Sequence, residues 1–320
     1  MTRTARLFVA LILLGCPACG RPFAEGGSRD LVLVTSLPAD SPEILLARAV
    51  LERPAIRIED EAAYAVRVAP PTDAGAYRSR NVLFLGYGPP ASIPEPLAPL
   101  ARLRDRLRAP FVFAVDPWLR GQAAGLFWAG SRDSLLPLLC QHQNRLFLEA
   151  DRATFATVRA RLLALPRDAE SERRVKRLLG YSLRVPRGYD LRIDPTTGAA
   201  LLLDPGPPAR LLRIVPARAS SPAEDLKRVR SALARTFRPH ERTLDLADPT
   251  LTPGEMLGAK RQIHGRWEDD EVSAAGPYRF YEITREGRRY YVDLAVFAPG
   301  RPKLPYLREL QAIAETISVR

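Results

Sequence analysis

Two cysteines, Cys16 and Cys19, lie close together near the start of the 320-residue chain. A Cys-x-x-Cys pair can act as a redox centre where it begins a helix that lowers the thiol pKa. It can also form half of a zinc site where two further ligands exist. Here Pro17 lies between the two thiols, and the remaining cysteine is the distant Cys140. The pair therefore favours neither chemistry and has to be interpreted with the segment before it.

The first fifteen residues have the layout of an export signal. Arg3 and Arg6 precede an apolar run from Leu7 to Leu14, which is much shorter than the about 20 residues that cross a bilayer. The end of this segment, Leu13-Leu14-Gly15-Cys16, resembles the lipobox of bacterial lipoproteins, in which cleavage before the cysteine prepares it to carry lipid. We predict a signal peptide over residues 1–15 and lipidation, palmitate included, at Cys16. Cys19 stays the alternative, although no Leu stands three residues before it.

The histidines offer one further place for catalysis. His264 precedes four acidic residues, Glu268 to Glu271, which could supply an acid–base partner or bind a hard cation such as Ca²⁺. The spacing of a calcium-binding EF-hand loop is absent, so a solvated loop is favoured. Cys140 and His142 stand two apart on a predicted helix and point in different directions, which indicates a small buried thiol and a surface imidazole. No catalytic residue, metal site or cofactor is predicted.

Aromatic residues cluster around one predicted hairpin. Trp267, Tyr278 and Phe280 could line a groove for a ligand or peptide, and they are the candidate binding residues of this sequence. The competing interpretation is that they pack across neighbouring strands in the core, as alternating aromatics on a sheet commonly do.

The formal charge of +12 raises the question of nucleic acid or anionic membrane as a partner. Of the 48 basic residues only four are Lys, so Arg supplies the other 44. This bias accompanies a high content of Ala and Pro and is typical of coding composition rather than of a binding face. We expect no nucleic-acid partner, and a membrane contact through the N-terminal lipid.

Residues 16–29 are predicted to be a tether, and residues 30–180 an α/β domain. Helices are expected after Ser41, from about Leu97, after Ser134 with Pro137 in its first turn, and before Gly180, which is typical of a helix C-terminus. Short apolar runs between them predict strands at 31–36, 65–69, 81–86, 111–116 and 123–130.

Residues 181–320 are predicted to form an α+β domain, an antiparallel sheet with packed helices resembling a sandwich. A capping box of Ser221 and Glu224 begins one helix, Gly287 marks a hairpin turn, and an amphipathic helix closes the chain. The predicted fold class is therefore mixed: an α/β half followed by an α+β half.

The amino-acid sequence of the C-terminal half resembles that of a family of bacterial envelope lipoproteins of unknown function, domain of unknown function 4837. The resemblance is carried by Gly265-Arg266-Trp267, followed by Gly276-Pro277-Tyr278. Where that family usually has Met-Gly-Gly-Pro-Phe, this chain has Ala-Ala-Gly-Pro-Tyr over residues 274–278. Further agreement lies in the lipobox, in "DLVLVTS", in "NVLFLG" and in "DPWLRGQAAGLFWAG".

The resemblance implies location and architecture without a known reaction. We predict a lipid-anchored protein of the cell envelope, on its periplasmic or surface face, that binds a protein or polysaccharide without catalysis. The alternative is an envelope hydrolase that uses the 264–271 region.

Overall fold

The computed structural model describes residues 21–56, 61–217, 225–245 and 258–319. Cys16 and Cys19 and the predicted capping box at residues 221–224 lie outside these ranges. Six helices are described: α1 Pro42–Leu51, α2 Ala98–Leu107, α3 Arg132–Ala164, α4 Ala169–Leu179, α5 Leu226–Phe237 and α6 Leu304–Ala314. None of the helices in the described ranges is both long enough and apolar enough to span a bilayer.

The first half is built on a five-stranded sheet in which four strands are parallel. The strand order is β4-β1-β5-β7-β6, and β6 alone runs antiparallel to its neighbour. The small β2-β3 hairpin stands apart from this sheet. The bounds are β1 Asp30–Val34, β2 Pro54–Ile56, β3 Glu61–Ala62, β4 Ala65–Ala69, β5 Asn81–Tyr87, β6 Phe111–Val115 and β7 Ala123–Ala129.

The second half is built on a seven-stranded antiparallel sheet of order β11-β12-β13-β14-β10-β9-β8. Gly287, with φ of 81°, makes the predicted tight turn between its two long central strands. The bounds are β8 Asp190–Asp194, β9 Ala199–Asp204, β10 Ala209–Pro216, β11 Glu241–Asp245, β12 Ala259–Asp269, β13 Ala274–Arg285 and β14 Arg288–Phe297. The mixed fold class is confirmed.

Both sheets are buried on both faces, which arranges the protein in five layers. Leu31 and Leu33 of β1 point to one side and Val32 and Val34 to the other, as the period of two of a strand requires. Helix α2 covers the outer face of the first sheet and α5 the outer face of the second. Helices α1, α3 and α6 fill the space between the sheets, so the largest hydrophobic cluster contains residues of both halves.

Polar contacts also cross between the halves, among them those made by Glu61 and Arg308. Glu61, on the β2-β3 hairpin, accepts hydrogen bonds from the backbone N–H groups of Lys303 (2.7 Å) and Leu304 (3.0 Å), and so caps helix α6. Arg308 of α6 is buried, pairs with Asp151 of α3 and donates to the backbone oxygen of Ser28 at 3.2 Å. The predicted boundary at Gly180 thus coincides with the end of a helix, while the core continues across it.

Helix α3 differs from its prediction at its start and in its length. Its N-cap is Ser131, whose hydroxyl accepts from the N–H of Ser134 at 3.3 Å, while the Ser134 hydroxyl accepts from the N–H of Ser131 at 3.1 Å. Pro137 therefore lies in the second turn rather than the first. The stretch with Phe155, Val158 and Leu162 on one face, which the sequence predicts as a separate helix, belongs to the same helix of 33 residues. Cys140, expected to be buried, is exposed on this helix.

Candidate functional site

A cleft of about 340 Å³ opens at the carboxyl edge of the first sheet, where ligands bind in open parallel α/β sheets. Gly88 follows β5, and Trp128 and Gly130 lie at the end of β7. The opposite wall comes from the last turn of α2. The cleft is concave and is lined by both polar and apolar groups, as ligand sites commonly are.

Arg104 of α2 and Arg108, directly after α2, give the cleft its basic character. Arg104 is nearly buried, with a side chain 11% exposed, and pairs with the Asp105 carboxylate at 2.9 Å. Arg108 ends the helix in the left-handed region at φ 49°, where the chain turns toward β6, and its side chain is exposed. Asp105 therefore balances one guanidinium, and Arg108 leaves the wall with a net positive charge.

Trp128 forms the aromatic part of the wall. Its indole N–H donates to the backbone oxygen of Gly88 at 3.1 Å, which holds the ring between the ends of β5 and β7. The ring lies so close to Gly86 that a Cβ there would stand 2.3 Å from it. A guanidinium and an aromatic ring that line one cleft can bind carboxylate, phosphate or sulfate groups and the rings that carry them. Within the described ranges, no group of three or more His, Cys, Asp or Glu is arranged to hold a metal ion.

The three predicted binding aromatics lie elsewhere, inside the second half. Trp267, Tyr278 and Phe280 are each no more than 1% exposed and pack beneath helix α5. Phe280 stacks on Tyr291 with ring centroids 5.8 Å apart. The side chains therefore form core contacts in the described structure, and a binding role for them remains a prediction.

The glycines of the Gly-x-Trp and Gly-Pro-Tyr segments explain this packing. In the β12-β13 pair, Gly265 stands opposite Tyr278, and Gly276 stands opposite Trp267. A Cβ on Gly265 would approach the Tyr278 ring to 2.8 Å, and one on Gly276 would approach the backbone oxygen of Val296 to 1.9 Å. The missing side chain of Gly265 thus leaves room for the Tyr278 ring, and that of Gly276 leaves room for the backbone of strand β14.

The acidic stretch after His264 consists of separate pairs of one basic and one acidic residue rather than one site. Basic residues of the α5-β11 connection, of β11 and of β12 hold its carboxylates, and Asp269 is buried. The pairs are Arg266–Glu268 at 3.1 Å, Arg238–Asp269 at 2.9 Å, Arg242–Asp270 at 2.6 Å and His240–Glu271 at 3.7 Å. This arrangement gives no support to the hydrolase alternative, because each carboxylate has its own basic partner.

Sequence reasoning missed a fully buried group of four charges beneath α5. Arg213 of β10 pairs with Glu241 and, at 2.5 Å, with Asp293 of β14. Arg230 of α5 pairs with the same two carboxylates, at 2.7 Å and 3.3 Å. The available signal was a single charge inside each of two apolar segments, "LLRIV" and "VDLAV".

The two guanidinium groups and two carboxylates of this buried group balance one another in charge. Burial alone would lower the pKa of Arg213, but Glu241 and Asp293 outweigh it and raise that pKa above its ordinary value. The guanidinium of Arg230 also lies 4.1 Å from the ring centroid of Tyr278, whose pKa burial raises to about 12. With two charges of each sign and 0% exposed side chains, the group ties α5 to the sheet.

The fold and the cleft together define a five-layered α+β protein with a basic cleft on its parallel sheet. A family model described as "Domain of unknown function (DUF4837)" matches residues 241–316, which is less than half of the chain. This matched segment contains β11 to β14 and α6, including the glycine–aromatic pairs.

No curated protein matches the chain. A crystal structure from Bacteroides thetaiotaomicron VPI-5482, at 1.50 Å resolution, is similar over 44% of this chain and 45% of that chain, with 8% identity and a TM-score of 0.24. The alignment spans less than half of that structure's length, and a likeness this weak carries no argument about function.

Proposed function

We propose that this protein is anchored by lipid in the bacterial cell envelope and binds a partner there without catalysis. The observation that carries the location is the lipobox-like segment Leu13 to Cys16, directly after a short apolar run with basic residues before it. The envelope family that the C-terminal half resembles agrees with this location.

Incorporation of radiolabelled palmitate tests the anchor. The wild-type chain and Cys19→Ser should incorporate label and sediment with membranes, whereas Cys16→Ser should lose both properties. Label retained in Cys16→Ser but lost in Cys19→Ser would move the anchor to the second thiol. Label absent from all three chains would contradict the proposal.

The binding role is supported by the cleft at the carboxyl edge of the first sheet. Its exposed Arg108 and its Trp128 suit a protein or cell-surface polysaccharide that presents an anionic group. The group would displace only water from Arg108, because no described acidic side chain forms an ion pair with this arginine.

Capture from detergent-solubilised envelope tests this role. Wild-type protein should retain a partner. Arg108→Ala should retain at least about tenfold less of this partner, which corresponds to about 1.4 kcal/mol of binding free energy. Arg106→Ala is the matched control, because Arg106 is an exposed arginine on the same helix that does not line the cleft. Equal recovery by both variants would show that the cleft is not the binding surface.

A further inference from the structure

The chain enters the fold at the amino edge of the first sheet. Residues predicted as tether are hydrogen-bonded there: the N–H of Arg120 donates to the oxygen of Pro22 at 2.9 Å, and the N–H of Ala24 donates to the oxygen of Arg120 at 2.9 Å. The N–H of Arg80 donates to the oxygen of Glu25 at 2.7 Å. Arg80 immediately precedes β5, and Arg120 stands three residues before the start of β7, so this surface is the end of the sheet opposite the cleft.

The remaining linker is short. Five residues separate Cys16 from Pro22, where the hydrogen bonds to the fold begin. A chain of this length reaches at most about 20 Å when fully extended. A lipid on Cys16 would therefore keep the amino edge within about 20 Å of the bilayer surface.

The chemistry of this edge suits an anionic bilayer. Phe23 is 69% exposed, the highest value among the large apolar side chains of the described residues, and the guanidinium of Arg120 lies 4.7 Å from its ring centroid. The same edge carries four arginines and three carboxylates, some of them paired with one another or bonded to backbone: Arg21, Arg78, Arg80, Arg120, Glu25, Asp30 and Asp116. An exposed aromatic among arginines is the combination that inserts at a lipid headgroup region.

We infer that the amino edge of the first sheet, centred on Phe23 and Arg120, rests on the membrane, and that the basic cleft faces away from it. This orientation rests on the proposed lipid anchor at Cys16. The strands separate the two edges by about 20 Å, since β5 and β7 each have seven residues. A partner would then reach the cleft from the aqueous phase next to the membrane rather than from the membrane itself.

Depth-dependent quenching in vesicles tests the orientation on the full-length lipidated chain. Two variants share Cys19→Ser and Cys140→Ser and differ in one added thiol for a fluorophore. Glu25→Cys reports the amino edge, and Leu107→Cys reports the carboxyl edge, where Leu107 is 59% exposed beside the cleft. The vesicles contain 30% phosphatidylglycerol and a headgroup-level spin-labelled lipid.

Quenching should be at least about threefold stronger at position 25 than at position 107. Adding Phe23→Ser should reduce quenching at position 25 by about half, whereas Val272→Ser, which alters an exposed apolar residue of the second half, should not. Equal quenching at both positions on a chain with lipid on Cys16 would overturn the orientation alone. Mass spectrometry that finds no lipid on Cys16 would overturn both the orientation and the anchor.

Discussion

At the scale of single residues, the glycines opposite Trp267 and Tyr278 decide how the second sheet packs. An aromatic ring on one strand occupies the space that a side chain on the facing residue would need. The segment that carries the family resemblance is therefore explained by packing. Glycine is required at positions 265 and 276 because a Cβ there would lie too close to neighbouring atoms, whichever surface the protein uses for binding.

Replacing Gly276 by Ala should destabilise the protein strongly. The new methyl group would stand 1.9 Å from the backbone oxygen of Val296, so strand β14 would have to move. We expect a loss of about 3 kcal/mol or more in the free energy of unfolding, measured in urea. Gly130→Ala is the control, because a Cβ there meets nothing within 4 Å. An equal effect of both substitutions would contradict the packing explanation.

The buried charges make a second prediction at this scale. Asp293→Asn leaves Arg213 and Arg230 with one carboxylate between them in a dry interior, which should cost about 3–5 kcal/mol of unfolding free energy. Asp270→Asn breaks a solvent-exposed pair with Arg242 and should cost no more than about 1 kcal/mol. Chemical denaturation of both variants measures the difference. Similar losses of unfolding free energy in the two variants would contradict this prediction.

At the scale of elements, local signals placed most helices and strands. Asp168 caps α4: its carboxylate accepts from the N–H groups of Glu170 and Ser171, both at 3.1 Å. At the other end of α4, Gly180 adopts φ of 71°, as predicted from its type. Such caps depend on residues within one turn, so the sequence shows them directly. Strand β11 was missed because its pattern "ERTLD" has little apolar content and it forms only on β12.

The cap of α4 predicts a pH dependence. Hydrogen bonds from the Ser171 hydroxyl and from backbone N–H groups lower the pKa of Asp168 below its ordinary value of 3.8. A lowered pKa in the folded state means that the charged cap stabilises fully above about pH 4, and that this contribution is lost as the pH falls through the folded value. The unfolding free energy of wild type minus that of Asp168→Asn should therefore shrink below pH 4.

Two variants check this assignment. Asp168→Ala should cost about 1 kcal/mol at pH 7, because it removes the cap. Ser171→Ala removes one donor to the carboxylate, at 2.7 Å, and should move the loss of stability toward higher pH. A difference between wild type and Asp168→Asn that stays constant from pH 7 to pH 2.5 would refute the role of the charge.

At the scale of the whole molecule, the helices between the two sheets join the halves into one core. The largest hydrophobic cluster takes residues from both sheets, and Glu61 and Arg308 add polar contacts across the same boundary. The pattern of predicted elements changes at Gly180, but the hydrophobic core continues on both sides of it. We therefore expect the halves to unfold together.

The three tryptophans allow this to be measured. Trp118 and Trp128 report on the first half and Trp267 on the second. In Trp267→Phe, and separately in a chain with Trp118→Phe and Trp128→Phe, the midpoint by fluorescence should equal the midpoint by far-ultraviolet circular dichroism of the same variant. Separate midpoints within either variant would show two independent domains.

The sequence by itself predicted the mixed fold class and the turn at Gly287, because these depend on neighbouring residues and on short periodic patterns; the export signal stays a prediction of the same kind. Tertiary structure alone decided that Trp267 and Tyr278 are buried and that Arg213 meets Asp293, 80 residues away along the chain. It also decided that Arg108 and Trp128 share one cleft. The physical reason is that burial, ion pairs and concave surfaces form where segments distant along the chain pack together. A local sequence pattern does not show which segment will pack against it.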